Sequence, residues 1–396
     1  MKLFFREGLF SYKSYRIAFI GQSVSFIGSW IHFIGQSWLA YQLTHSPIGL
    51  GMIGFGSTIP SLLFSILSGM TADRFSKLKI LILSQFSNCC LSFLLGLLSY
   101  LKMINFYELL LLSFAMGVFN NLELPSRQTL LLSYLPNNEI KRAIAMNAFL
   151  FNSARLIGPA VAGIILPLYG PSICFFINGI SYILSIGSFI WASAKNERSK
   201  DQPSGHSTKK NFFVLISNPA VFYPSILLGI VTLFGWSYSV LLPYISSQIY
   251  HQGSKGLALF YSSNGFGAIS AALLISFFPN RFSSSTLQSL SMILFSFSLF
   301  LFSFFPPFFF SILIVSFLGF SLSLFVSATT MFLQERISDS MRGMTFGLTT
   351  FFFQGFFAIG NLLMGSLAQF LGTKLSLMIG SVICFTAFFS LRIRSE

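Results

Sequence analysis

The stretch GLGMIGFGSTIPSLLFSILSGMTADRFS, residues 49–76, returns without a gap at 256–283 as GLALFYSSNGFGAISAALLISFFPNRFS. Gly49 and Leu50 answer Gly256 and Leu257, and Arg74-Phe75-Ser76 answers Arg281-Phe282-Ser283, an offset of 207 at both ends (256 − 49 and 281 − 74). A second echo at an offset of 202 places Gly117, Gly158, Gly163 and Gly170 on Gly319, Gly360, Gly365 and Gly372. The chain is therefore a duplicated unit. Both copies are long apolar stretches, so what is duplicated is a set of membrane-crossing helices.

Composition removes the soluble alternative. With 54% apolar residues, 51 Phe and only 9% charged residues in 396, the chain lacks the polar surface a water-soluble fold of that size needs, and its mean hydropathy is +0.76. A crossing takes about 20 apolar residues. Charge-poor segments of that length bounded by polar, Pro or Gly punctuation number twelve, near 17–41, 47–71, 79–101, 106–134, 142–168, 172–193, 219–248, 256–278, 285–305, 308–333, 343–371 and 374–391. The expected fold is an all-α polytopic membrane protein, its twelve transmembrane helices in two pseudo-symmetric six-helix bundles.

The polar run KNERSKDQPSGHSTKK falls between the sixth and seventh spans and separates the copies. It sets the expected domains at 1–194, a cytoplasmic linker at 195–211, and 212–396. The basic N-terminal segment with Lys2, Arg6, Lys13 and Arg16 leads into a full-length span without a small-residue cleavage pattern, which reads as a retained anchor. With the N-terminus inside, 19 Lys and Arg fall on cytoplasmic segments, and only Lys102, Lys255 and Lys374 fall outside. That asymmetry predicts cytoplasmic termini, and it accounts for most of the +14 net charge without a nucleic-acid partner. The linker's basic residues read as a solvated cytoplasmic loop that can also touch anionic lipid.

Enzyme-like strings do not survive their context. Gly49-Leu-Gly51-Met-Ile-Gly54 satisfies G-x-G-x-x-G, but it lies inside an apolar helix with no preceding strand, so it reads as a small-residue face for helix packing. No HExxH, P-loop or G-x-S-x-G occurs. The four cysteines, Cys89, Cys90, Cys174 and Cys384, lie in expected spans without metal-ligand spacing and read as packing residues. The chain is expected to be no enzyme and to need no cofactor or metal.

The loop between the second and third spans, GMTADRFSKLK from Gly69 to Lys79, resembles the G-x-x-x-D-R-x-G-R-R/K signature of the major facilitator superfamily, in the place where that superfamily carries it. Gly69, Asp73, Arg74 and Lys77 match, whereas Ser76 replaces the usual Gly and Leu78 a usual basic residue. Physically, Gly69 permits close helix approach, Asp73 suits a facing helix N-terminus, and Arg74 can pair with an acid on a neighbouring span. Together these make a cytoplasmic latch. Ser276 and Asn280 stand at the Gly and Asp positions of the second copy, which makes the latch asymmetric.

Further stretches narrow the resemblance. GQSVSFIGSWIHFIGQSWLAYQLTHSP, residues 122–166, INGISY and LQERISDSMRGM are similar to the branch holding enterobactin exporters and macrolide efflux pumps. The resemblance implies an exporter of a small amphipathic molecule, siderophore-like and proton-coupled by antiport, working as a monomer in a bacterial inner membrane. Import of a nutrient or peptide-like solute is the alternative, and a non-transporting membrane receptor or membrane-embedded enzyme is the reading from another class. Members of that branch often carry an acid where this chain has Ser29 and an Arg where it has Met344.

An ionised side chain at the bilayer centre costs about 2.5–3.5 kcal/mol or more, so it persists only with a partner or a wet cavity. Glu123 and Arg127 are four apart on the fourth span and can pair on one helical face. The resembled branch carries an acid two residues before its Pro-Ala-Arg-Gln, and this maps onto Glu123 before Pro125-Ser126-Arg127-Gln128. Either Glu123 holds Arg74 or Arg127 in the latch, or it carries the proton. Arg155 lies near the middle of the fifth span and is the candidate anion-binding residue. Gln22, Gln36, Asn152 and Gln354 are candidate cavity-lining residues, with Asn152 and Gln354 at equivalent positions of the two copies (354 − 152 = 202), and His32 is a candidate for the same site that either carries a proton or packs through a hydrogen bond. Gly158-Pro159 can bend the fifth span.

Reporter fusions after residue 205 and at the C-terminus should both report the cytoplasm; opposite signals from the two would contradict the orientation.

Overall fold

The computed structural model describes residues 8–194, 218–277, 283–337 and 342–395. The expected linker at 195–211 and Asn280 lie outside the described residues. Twelve helices are long and apolar enough to cross a membrane, and no strand occurs among the described residues. They are α1 (Lys13–Thr44), α2 (Pro47–Arg74), α3 (Lys77–Tyr100), α4 (Phe106–Ser133), α5 (Ile140–Tyr169), α6 (Pro171–Ala194), α7 (Val221–Ile249), α8 (Gly253–Phe277), α9 (Ser284–Phe302), α10 (Phe308–Arg336), α11 (Arg342–Leu371) and α12 (Thr373–Ser395).

Local chemistry explains where these helices start and stop. Asn105 and Glu108 close a reciprocal capping box at the head of α4, each side chain accepting from the other's backbone N–H at 3.0 Å. Gly170 ends α5 at φ 76° and Gly372 ends α11 at φ 83°, a left-handed conformation that glycine adopts without strain. These two residues are the 202-offset pair of the sequence, so the duplication extends to the turn geometry. α5 continues as helix through Pro159 and Pro167. Gly158 serves close approach there: a Cβ on it would lie 2.4 Å from the Trp30 Cβ of α1.

The chain divides into two compact units, Met1–Leu39 with Leu63–Gly205, and Ala40–Leu62 with His206–Glu396. In the first, α1 carries Gly21, Gly28 and Gly35 at seven-residue intervals, and they meet Ser188, Ser181 and Cys174 of α6 closely enough that any Cβ would collide. Between helices in lipid, where apolar burial gives no advantage over lipid tails, such small-residue seams allow the backbone approach that dispersion and interhelical hydrogen bonds require. Cys89, Cys174 and Cys384 are buried, while Cys90 faces outward.

In the second unit the N-terminal half of α2 packs against α11. A Cβ on Gly51 would sit 2.6 Å from the Asn361 carbonyl, and one on Gly365 would sit 2.8 Å from the Gly51 Cα. Gly54 faces Asn361 as well. The dinucleotide-like string is thus a helix-packing face, as its apolar setting predicts.

The seventh crossing departs from the plain helix expected at 219–248. Its α-helix runs from Pro219 to Ile230, passes into a π turn over Val231–Gly235 and a 3-10 turn over Trp236–Leu241, and ends in a second π turn over Ile245–Ile249. Pro224, Gly235 and Pro243 were visible as breakers. Neighbouring side chains satisfy the loosened backbone: the Tyr261 hydroxyl donates to the Ser239 carbonyl at 2.8 Å, and Ser237 Oγ donates to the Thr232 carbonyl at 2.7 Å. Asn264 Nδ2 donates to the Tyr238 hydroxyl at 2.8 Å, fastening the irregular segment to α8.

Replacing Gly51 by Leu should lower stability by about 1–3 kcal/mol through overpacking, while Gly187→Ala, where nothing lies within 4 Å of the new Cβ, should change it by less than about 0.5 kcal/mol. Thermal melts of the purified variants check both.

Candidate functional site

Glu123 and Arg127 sit one turn apart on α4, both buried, with Arg127 Nη1 2.8 Å from Glu123 Oε1. The four-residue spacing is what brings them together. Gln85 of α3 donates through Nε2 to the same Glu123 oxygen at 3.1 Å and to Ser185 Oγ of α6 at 3.0 Å. The carboxylate therefore receives an amide N–H and a guanidinium N–H on one oxygen, the charge-assisted kind of hydrogen bond that makes a buried anion tolerable. Sequence reading missed Gln85. Its signal was faint but present, a period-matched polar face of Gln85, Asn88 and Ser92 on an otherwise apolar helix, all fully buried.

The Arg127 guanidinium also lies over the Phe26 ring of α1, 4.3 Å from the centroid. From Phe26 a run of rings continues edge-to-face. Phe26 meets Phe151 of α5 at 5.7 Å, Phe151 meets Trp30 at 6.2 Å, and Arg155 lies 5.9 Å over the Trp30 ring. The two intramembrane arginines thus stand at opposite ends of a three-ring aromatic path. Arg155 is 8% exposed, which places its charge inside the protein and not in the lipid face.

His32 and Gln36 are brought together on one face of α1. His32 Nε2 and Gln36 Oε1 are 3.1 Å apart, Gln36 Nε2 donates to Ser113 Oγ of α4 at 2.9 Å, and the His32 ring stands edge-on to Phe175 at 4.9 Å. Both are buried. The Asn152 amide donates to the Ala148 carbonyl of its own helix at 2.9 Å, and Gln354 is half-buried on α11 in the other unit. Of the latch motif, the helical backbone of α2 reaches Arg74 and Lys77 opens α3 half-buried. The side chains of Gly69, Asp73 and Arg74 lie outside the described residues.

The second unit holds a counterpart of the aromatic path. Trp236, in the 3-10 turn of α7, lies against Phe353 at 4.9 Å and stacks on Phe357 at 4.5 Å, both on α11. Phe353 and Phe357 stand 202 residues after Phe151 and Arg155 (353 − 151 and 357 − 155). Where the first unit sets a guanidinium beside its tryptophan, the second sets a phenyl ring.

A family model described as transmembrane secretion effector matches residues 8–395, nearly the whole chain. The chain belongs to that family of major facilitator transporters. The staphyloferrin A transporter of Staphylococcus aureus (strain NCTC 8325 / PS 47) is 25% identical over 362 residues, covering 90% of each chain. The fold is shared with solved transporters. The nucleoside transporter NupG superposes with a TM-score of 0.72 at 15% identity over 96% of this chain and 99% of that one. A POT family transporter in complex with 5-aminolevulinic acid gives 0.74 at 13% identity over 95% and 96%. The secretion-effector fold is that of a membrane transporter and not of an enzyme, as the missing catalytic strings predict.

Removing one member of the Glu123–Arg127 pair should destabilise the protein by about 3–5 kcal/mol, because the survivor is left as a buried, uncompensated charge. Glu123→Gln with Arg127→Met together should cost markedly less than the two singles added. Thermal melts of the three variants read the non-additivity.

Proposed function

We propose that this transporter exports a small amphipathic anion, a siderophore-like metabolite, by alternating access coupled to proton entry. Its proposed setting is a bacterial inner membrane, both termini cytoplasmic and the working unit a monomer. The observation that carries the reading is the buried guanidinium of Arg155 beside the rings of Trp30 and Phe151. Arg155 is buried with its guanidinium over the Trp30 ring, and a guanidinium offers a carboxylate or similar anion two parallel N–H donors. The adjoining rings of Trp30 and Phe151 suit the apolar part of an amphipathic cargo. The siderophore named for the staphylococcal relative supports the same chemical class.

In this reading Arg155 engages the anionic group of the cargo, with Asn152, Gln354, Gln36 and His32 as further lining residues. Glu123 and Arg127, with the motif residues Gly69, Asp73, Arg74 and Lys77, form the coupling and gating machinery. The two domains, 1–194 and 212–396 joined by the linker at 195–211, are the bodies that rock. The close Gly51–Gly365 contact is one that alternating access would open in each cycle.

Metabolite profiles of cells with and without the gene test direction and substrate together. An exporter's loss leaves an anionic metabolite retained inside and depleted outside; depletion inside would establish import. Arg155→Gln should reproduce most of the retention, and Arg155→Lys should restore charge but not the two-pronged geometry, giving partial release. Normal release by the Gln variant would return Arg155 to helix packing.

A further inference from the structure

Gln85 is fully buried, belongs to no motif of the family signature, and joins its own helix α3 to α4 and α6 through one amide. Its Nε2 spends both N–H groups, one on Glu123 Oε1 of α4 and one on Ser185 Oγ of α6. Its Oε1 has no hydrogen-bond partner among the described residues. A buried amide that satisfies both donors and strands its acceptor is oriented by what it donates to, and among the described residues the anion it donates to is the Glu123 carboxylate.

We infer that Gln85 is the positioning residue of the Glu123–Arg127 pair, holding the carboxylate on the oxygen that Arg127 also uses and tying its orientation to α3 and α6. The inference rests on the reading of Glu123 as the coupling or gating acid. Among the described residues, the charged and titratable groups around that carboxylate are Arg127 on its own helix and Tyr182 on α6. α3 presents the Gln85 amide, and α1 presents the Phe26 ring beneath Arg127.

The arrangement gives Gln85 a role in the transition as well as in the resting state. When Glu123 accepts a proton, it loses its claim on Arg127 and gains an O–H donor. The Gln85 amide can then turn its idle carbonyl to accept from that O–H, and from the Ser185 hydroxyl, while Arg127 keeps the Phe26 face. One side chain thus meets both forms of the acid with complementary hydrogen bonding, which no apolar residue at this position can do. Asparagine, one methylene shorter, falls short of the carboxylate.

Infrared difference spectroscopy tests this on the purified full-length protein reconstituted in phosphatidylethanolamine–phosphatidylglycerol vesicles, with no substrate needed. The Glu123 carboxylate band is assigned by its loss in Glu123→Gln. Gln85→Met and Gln85→Asn should each shift that band resolvably, while Ser185→Ala, which leaves the donation to Glu123 in place, should leave it within the wild-type line. A band unmoved in both Gln85 variants, or moved as far by Ser185→Ala, overturns the inference. Failure of the underlying reading shows separately: cells carrying Glu123→Gln would then match wild type in metabolite release, whatever the band does.

Discussion

Hydrocarbon offers no hydrogen-bond partner to a peptide group or a charge, and each feature of this protein is an answer to that absence. Twelve crossings are helical because helices satisfy their own backbone. Where one is not regular, at α7, hydroxyls from Tyr261 and Ser237 supply what the loosened carbonyls lack. Where a charge enters the membrane, as at Glu123 and Arg127, it arrives with an opposite charge, an amide and an aromatic face. The polar exceptions are therefore informative, since each is maintained against a cost of several kcal/mol.

The two copies keep the devices that shape the backbone and differ where chemistry is placed. Gly170 and Gly372 make the same left-handed turn, and Gly158 and Gly360 each admit a helix too close for a side chain, α1 in one unit and α7 in the other. At the neighbouring position, however, Arg155 answers to Phe357. Duplication supplied two equal scaffolds, and divergence put the cation in one and an aromatic stack in the other. Such asymmetry suits a cargo with a charged end and an apolar body.

The crossings, the duplication and the Glu123–Arg127 pairing were legible because each depends on a short-range pattern: apolar length, an internal offset, a spacing of four. The interruption of α7 was only half legible, since Pro224, Gly235 and Pro243 mark a weak helix but not the side chains from α8 that stabilise the break. Gln85 was only faintly marked by its polar period, and its partners on α4 and α6 and the ring path from Arg127 to Arg155 were not legible, because they join α1, α3, α4, α5 and α6 across long sequence separations. His32 was legible as a residue type but not in its surroundings, since Gln36, Ser113 and Phe175 come together from α1, α4 and α6.

Alternating access is the central claim, and the contact it bears on most directly is the near-touching backbones of Gly51 and Gly365. Cysteines at both positions, in a background lacking the four native ones, fall within the reach of a disulfide. The measurement is release of the metabolite that the proposed export would leave trapped in cells lacking the protein, before and after oxidation. Release that stops when the bridge forms and resumes on reduction is the predicted result. Undiminished release by fully cross-linked protein would show that this contact stays closed throughout the cycle, and would contradict the account.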